Sequence, residues 1–313
     1  MTRIPFSSKL TGLFLLILGS FTAGAQNKDP LKTEIVTSDI DNFWQAFDAA
    51  RPDFNPGPFQ KFYIDKGTKG VDGFMKRRIQ NAENLARVVK ACQKYYGSIR
   101  PSLDSIPGMK DRIRQSLVKL KDLYPKAVFP PVYFVIGALS SGGTSTGAGL
   151  IIGAEMYGLT SQTPTDELNT WLKTVIKPVG DVPHIVAHEL IHFQQKYDGG
   201  TLLAASIKEG AADFMAELIS GKHINTHVHA FADPKEKELW LEFRERMLKK
   251  DYTGWLYSST EGRPNDLGYW MGYKITKSYY DRTPDKRQAV ADIMNIRDFE
   301  IFLKQSGYAE RFE

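Results

Sequence analysis

A pair of histidines with a glutamate beside the first is the clearest chemical feature of this sequence. The residues are His188, Glu189 and His192. Positions four apart lie on one face of an α-helix, so both imidazoles can hold one zinc ion at roughly 2.0–2.1 Å per nitrogen. Zinc lowers the pKa of a bound water to roughly 7, and the adjacent carboxylate can then take its proton. The pattern predicts a hydrolytic zinc site with its own general base.

A catalytic zinc site needs a third protein ligand and keeps one position for water. One common arrangement adds a histidine six residues after the second, with a glycine between them. Those positions are Asp198 and Gln195 here, which excludes that arrangement. Another takes a glutamate from a following helix, and Glu209 fits it. Asp213, one turn later on the same face, can accept a hydrogen bond from a ligand imidazole, and the small residues 210–212 let two helices approach closely.

Together these motifs resemble the gluzincin clan of zinc peptidases, which includes thermolysin and the alanyl and leukotriene-hydrolase-type aminopeptidases. More narrowly, they resemble a bacterial family of predicted Zn-dependent proteases, whose neighbour is the gliding-motility lipoprotein family of Bacteroidetes. The resemblance covers roughly 130–310, with motifs at 184–213 and 266–280. It implies one Zn²⁺ ion on the three ligands named above and a peptide or protein substrate.

The resemblance also implies a Tyr or His that stabilises the oxyanion, well beyond the third ligand. Tyr269 and Tyr273 lie 60 and 64 residues beyond Glu209. Spacing does not choose between them, and Tyr269 is slightly preferred because it is nearer the start of its predicted helix.

In gluzincins an edge strand beside the zinc helix pairs with the extended substrate backbone, which gives affinity through main-chain hydrogen bonds. The apolar run 149–153 resembles that strand. This predicts Gly149, Ile151 and Gly153 as substrate-binding residues, and a plain core hairpin is the alternative. Glu155, just beyond the run, is the candidate to hold the free amine of an aminopeptidase substrate.

The other four histidines carry weaker signals. His184 lies one turn before the first ligand but roughly 12 Å along the helix axis from the second, at about 1.5 Å per residue, so it is predicted to support the site or the core. His223, His227 and His229 follow with irregular spacing. A second metal site and ordinary surface groups are both open for them.

The first 25 residues have the pattern of a secretory signal. Two basic residues precede an apolar run, and Ala23-Gly24-Ala25 forms a small-x-small cleavage site. The run is too short to span a bilayer comfortably, and no cysteine follows it for lipid attachment. The predicted location is periplasmic or secreted, without stable membrane insertion after cleavage, and an uncleaved anchor is the alternative.

The composition is that of a globular protein. The 313 residues are 42% hydrophobic, which is ample for a large core. The formal net charge of +5 falls to +3 without the two basic residues of the signal, too small and too evenly spread to favour nucleic acid. Cys92 is the only cysteine, so no intramolecular disulfide forms, and it is predicted to pack as a small apolar residue.

Hydrophobic periodicity predicts an α+β fold that is mostly helical, with a small β-sheet around a gluzincin-like core. A helix is predicted at 81–96, a strand at 132–136 and a flexible Gly/Ser/Thr-rich loop at 137–147. Residues 26–128 form an N-terminal helical region and 129–313 the catalytic region, and the sequence leaves open whether the two form one domain.

Two functions from different classes follow. One is an exported zinc metallopeptidase with Glu189 as general base. The other is a non-catalytic envelope scaffold on the same fold, which binds an envelope protein partner, as the resemblance to the gliding-motility family allows.

Overall fold

The computed structural model describes residues 26–257 and 262–313, and the predicted signal at 1–25 lies outside them. Within these ranges the chain is mostly helical and carries one four-stranded sheet, which confirms the predicted α+β class. The gluzincin-like character of the core stays a prediction. None of the helices in these ranges is long and apolar enough to cross a membrane.

The sheet has two inner strands that are wholly buried. Its members are β1 (Ile35–Val36), β2 (Val132–Val135), β3 (Gly143–Thr146) and β4 (Gly149–Gly153). The spatial order is β1-β2-β4-β3, with β1 and β4 parallel to β2 and β3 antiparallel to β4. Every residue of β2 and β4 is buried, and near-continuous apolar runs are typical of strands covered on both faces.

The predicted edge strand at 149–153 is wrong. This segment is β4, which pairs with β2 on one side and β3 on the other, so its main chain is not available to a peptide. It also runs parallel to β2 and does not form a hairpin with it. The edge strand next to β4 is β3, inside the segment predicted as a loop, and β1 forms the opposite edge. All four residues of β3, Gly-Thr-Ser-Thr, are only half-buried, and such a position at the edge of a sheet suits a polar sequence.

Fourteen α-helices lie in the described residues. The N-terminal six are α1 (Ser38–Ala50), α2 (Pro56–Phe59), α3 (Lys69–Phe74), α4 (Ala82–Ala91), α5 (Gln93–Leu103) and α6 (Lys110–Leu123), with π-helical turns at Gln60–Ile64 and Met75–Ile79. The other eight are α7 (Thr170–Val175), α8 (Val182–Gln194), α9 (Leu202–Ser220), α10 (Thr226–Ala232), α11 (Glu236–Arg244), α12 (Leu267–Arg282), α13 (Lys286–Met294) and α14 (Phe299–Ser306). The helix predicted at 81–96 is broken at Cys92, which is buried as expected.

The N-terminal helices are tied to the sheet by buried tyrosines. The hydroxyl of Tyr63 donates to the carbonyl of Ile136 at 2.7 Å, and that of Tyr96 donates to the carbonyl of Gly137 at 2.8 Å. One continuous cluster of buried side chains includes residues from both sides of residue 128. The N-terminal layer therefore holds the segment that leads from β2 to the edge strand.

Helices α9 and α12 touch at the level of their backbones. A Cβ atom on Gly210 would overlap the main chain of α12, and one on Gly272 would overlap the carbonyl of Ser206 in α9. Only glycine permits this approach, because any side chain would force the helices apart. The small residues after Glu209 thus allow the close helix contact that the sequence predicted, and the partner is α12.

Candidate metal centre

Helix α8 carries the histidine pair on one face. It begins at Val182 with a proline in its first turn, where a missing N–H costs nothing. It ends at Gln194. His188 and His192 lie one turn apart, and their Nε2 atoms approach to 3.0 Å. Both nitrogens therefore point to the same place.

Helix α9 brings Glu209 to the pair. Its Oε2 atom lies 3.1 Å from Nε2 of His192 and 3.8 Å from Nε2 of His188. Ligand atoms of a tetrahedral zinc ion at roughly 2.0–2.1 Å lie roughly 3.3 Å apart, so the spacing and the donor set both fit zinc. Among residues 26–257 and 262–313, this is the one group of three metal-binding side chains whose ligand atoms converge.

Glu209 and His192 also form a coupled acid–base pair. Burial raises the pKa of Glu209, but His192 and His188 outweigh it and lower that pKa to about 2. Burial lowers the pKa of His192, whereas Glu209 raises it to about 9. A metal ion binds the neutral imidazole, so metal uptake would displace any proton that His192 shares with Glu209.

Each of these two histidines has a polar neighbour at its other ring nitrogen. Nδ1 of His188 lies 2.8 Å from Oδ1 of Asp213, which is buried, and the predicted role of Asp213 in fixing a ligand imidazole stays a prediction. Nδ1 of His192 lies 2.8 Å from Oε1 of Gln195. Gln195 in turn donates from Nε2 to the carbonyl of Lys208 at 2.8 Å. Sequence reasoning missed Gln195, although its position three residues after His192 places it within reach.

Glu189 faces a cleft beside the histidines. Burial raises the pKa of its carboxyl group, although the two imidazoles oppose the shift. The edge strand β3 passes directly over this carboxyl group. A Cβ atom built on Gly143 would lie 2.5 Å from Oε1 of Glu189. The glycine gives the carboxylate its space.

The cleft has a volume of about 610 Å³ and reaches His188. Its lining combines apolar and charged side chains from several elements: Trp171, Val175, Lys177, Ile185, Asn225, Val228, Arg263, Asp266 and Tyr269. Trp171 is nearly half exposed at 46%, which places a large aromatic surface at the cleft.

The structure separates the two tyrosine candidates. The ring of Tyr269 stacks on His188, with centroids 6.3 Å apart and planes 12° apart, and it lines the cleft. Tyr273 instead donates its hydroxyl proton to Glu217 at 2.7 Å and does not line the cleft. A third tyrosine, Tyr257, donates to Oε1 of Glu209 at 3.1 Å. It lies in a loop, where no periodicity or motif marks it.

The predicted substrate-binding residues do not lie at the cleft. Gly149, Ile151 and Gly153 belong to the inner strand β4. Glu155 is fully buried and accepts hydrogen bonds from the backbone N–H groups of Gly137 and Leu139, and burial raises its pKa to about 7. Its carboxylate is occupied in holding the segment that leads to the edge strand, which is why it cannot meet a substrate amine.

The remaining histidines are not ligands of the centre. Nδ1 of His184 lies 2.7 Å from the Ser220 hydroxyl, which makes it a satisfied core residue. The rings of His223 and His229 pack 4.0 Å apart against each other, and His227 lines the cleft.

Comparison with known protein families adds one finding. A family model described as gliding motility protein GldB matches residues 26–310. The chain belongs to the GldB family. No curated protein and no solved structure matches the chain.

Membership of the GldB family confirms the predicted relation to gliding-motility proteins. The match runs from the first described residue nearly to the end of the chain, so it includes the N-terminal helices as well as the metal centre. The zinc-peptidase character that the motif at 184–213 implies for this GldB-family chain stays a prediction.

Proposed function

We propose that this chain is an exported, envelope-associated protein that acts in gliding motility with a protein partner, and that it holds one Zn²⁺ ion with His188, His192 and Glu209. The family match supports the envelope role, and it favours this reading over a peptidase. The three converging ligand atoms support the zinc ion. Location in the periplasm or outside the cell remains a prediction.

Deletion of the gene in its native host is expected to abolish gliding, and a wild-type copy should restore it. A Glu189→Gln copy should also restore gliding, because a partner-binding role needs the fold and not the base. Colony spreading and single-cell movement are the measurements, with immunoblots to show equal protein levels. A deletion strain that glides normally would remove the proposed role.

Peptide hydrolysis at the same centre is a second candidate, favoured by Glu189 facing a cleft beside an unpaired strand edge. A bound zinc ion would supply Lewis-acid chemistry by polarising a carbonyl and making water more acidic. Glu189 would accept a proton from water and later deliver it to the leaving amine. Its burial raises its pKa, which makes it a stronger base and so favours the first of these transfers.

The rest of the cleft would position a peptide. The outer edge of β3 would pair with an extended peptide backbone. The sequence predicted this role for 149–153, which is β4. The hydroxyl of Tyr269 would donate a hydrogen bond to the developing oxyanion. Both elements lie beside the ligand histidines, so binding and chemistry would share one site.

Gly143→Ala tests the contact between the edge strand and the base. The added methyl group would displace the Glu189 carboxylate, and we expect peptide turnover to fall by about 100-fold, as misplacement of a catalytic group by about 1 Å can do. Zinc content should not change. Gly147→Ala is the matched control, because a Cβ there meets nothing within 4 Å. Equal turnover in both variants would show that the strand does not govern the base.

A further inference from the structure

Asn225 connects the cleft with the metal centre. Its Nδ2 atom donates to Oδ2 of Asp213 at 2.7 Å. The other oxygen of the same carboxylate lies 2.8 Å from Nδ1 of His188. Asp213 therefore lies between the two residues, at ion-pair distance from His188 and hydrogen-bonded to Asn225.

Asn225 is itself fixed by its neighbours. Its backbone N–H donates to Nδ1 of His223 at 2.9 Å. The half-buried Lys177 donates from its ammonium group to the carbonyl of Ile224 at 2.7 Å, and this group lies 3.5 Å from Oδ1 of Asn225. Nearby, Lys222 forms an ion pair with Asp181 at the start of α8. The segment before α10 is thus bonded to both helices that supply the centre.

An amide at position 225 is the side chain that this arrangement requires. Asp213 is only 2% exposed, so bulk solvent has little access to its second oxygen. A buried carboxylate oxygen without a donor is costly. A second carboxylate at position 225 would repel it, whereas the amide supplies a donor and no charge.

We propose that Asn225 is a positioning residue for the zinc centre and acts through Asp213 on His188. By holding Asp213, it keeps a carboxylate 2.8 Å from Nδ1 of His188, which favours a proton on that nitrogen and leaves Nε2 free to bind the metal. Partners of this kind set ligand orientation and typically change metal affinity by about 10–100-fold. The inference rests on the proposed zinc binding.

The test measures zinc affinity of the full chain by competition with a chromogenic chelator, together with the absorption spectrum of the cobalt(II)-loaded protein. Asn225→Ala is expected to weaken zinc binding by about 10-fold, at the lower end of the range for outer partners, and to alter the cobalt spectrum. Asn225→Asp should weaken it further. The exchange of both residues, Asp213→Asn with Asn225→Asp, should recover part of the loss, because a hydrogen bond between the positions forms again.

Asn27→Ala is the matched control. Its half-buried amide also donates one hydrogen bond, to the carbonyl of Phe129 at 3.0 Å, and it touches none of the ligands. Asn225 variants that bind zinc like wild type would overturn the inference and leave the proposed zinc site intact. A wild-type chain that binds no zinc would overturn both. Weaker binding that the exchange does not recover, with a lower melting temperature of the metal-free protein than Asn27→Ala shows, would reduce Asn225 to a structural role.

Discussion

His192→Ala is expected to abolish zinc binding. The variant removes one of three protein ligands and leaves Glu209 facing a single imidazole. The loss of zinc affinity should exceed the loss of about 10–100-fold that follows when a residue bonded to a ligand is removed. Zinc at 1,000 times its Kd would stabilise the wild type by about 4 kcal/mol through mass action, so its melting temperature should rise with added zinc. The variant should show no such rise.

His184→Ala is the control for that experiment. It removes a buried histidine from the same helix, together with its contact to Ser220, but not a ligand. Metal analysis after dialysis and thermal melts with and without zinc are the measurements. A His192→Ala protein that still gains thermal stability from zinc would show that the ion binds elsewhere.

Glu189→Gln should separate metal binding from hydrolysis. The substitution keeps the size of the side chain but removes its ability to take a proton from water. If the centre cleaves peptides, turnover should fall by about 10²–10⁴-fold, the usual contribution of a positioned base. Zinc content should stay near that of the wild type, because Glu189 is not one of the converging ligands.

The measurement is cleavage of a peptide library by wild type and variant at equal zinc content. His192→Ala serves as the metal-free reference. A variant that cleaves as fast as wild type would rule out Glu189 as the base. Wild-type protein that cleaves nothing while it holds zinc would leave the partner-binding role as the function of the centre.

The sequence predicted the parts of the centre that depend on local geometry. His188 and His192 share a face because four residues make slightly more than one helical turn. Glu209 and Asp213 were identified by residue type and by the same spacing on a second helix. The side chains that hold them were missed or left open, because Asn225 and Tyr257 come from loops whose positions depend on tertiary packing.

The sheet was harder to predict than the helices. The apolar residues of the run 149–153 predict a strand, but a strand of continuous apolar residues is typical of the inside of a sheet and not of its edge. The edge strand 143–146 is rich in Gly, Ser and Thr, so it was predicted as a flexible loop. Glu155 was assigned to substrate binding because its burial could not be seen in the sequence. In each case the position in the sheet or the burial of the side chain depends on which tertiary neighbours cover it, and the local sequence does not show these neighbours.

The backbone contact between α9 and α12 bears on how metal would enter. Glu209 is next to Gly210, the residue that presses against α12, so the third ligand is carried by a tightly packed helix pair. Amide hydrogens in such a pair exchange with solvent only through large opening events. The apoprotein should therefore keep its ligands assembled, and zinc uptake should follow a single bimolecular phase, without a slow folding step.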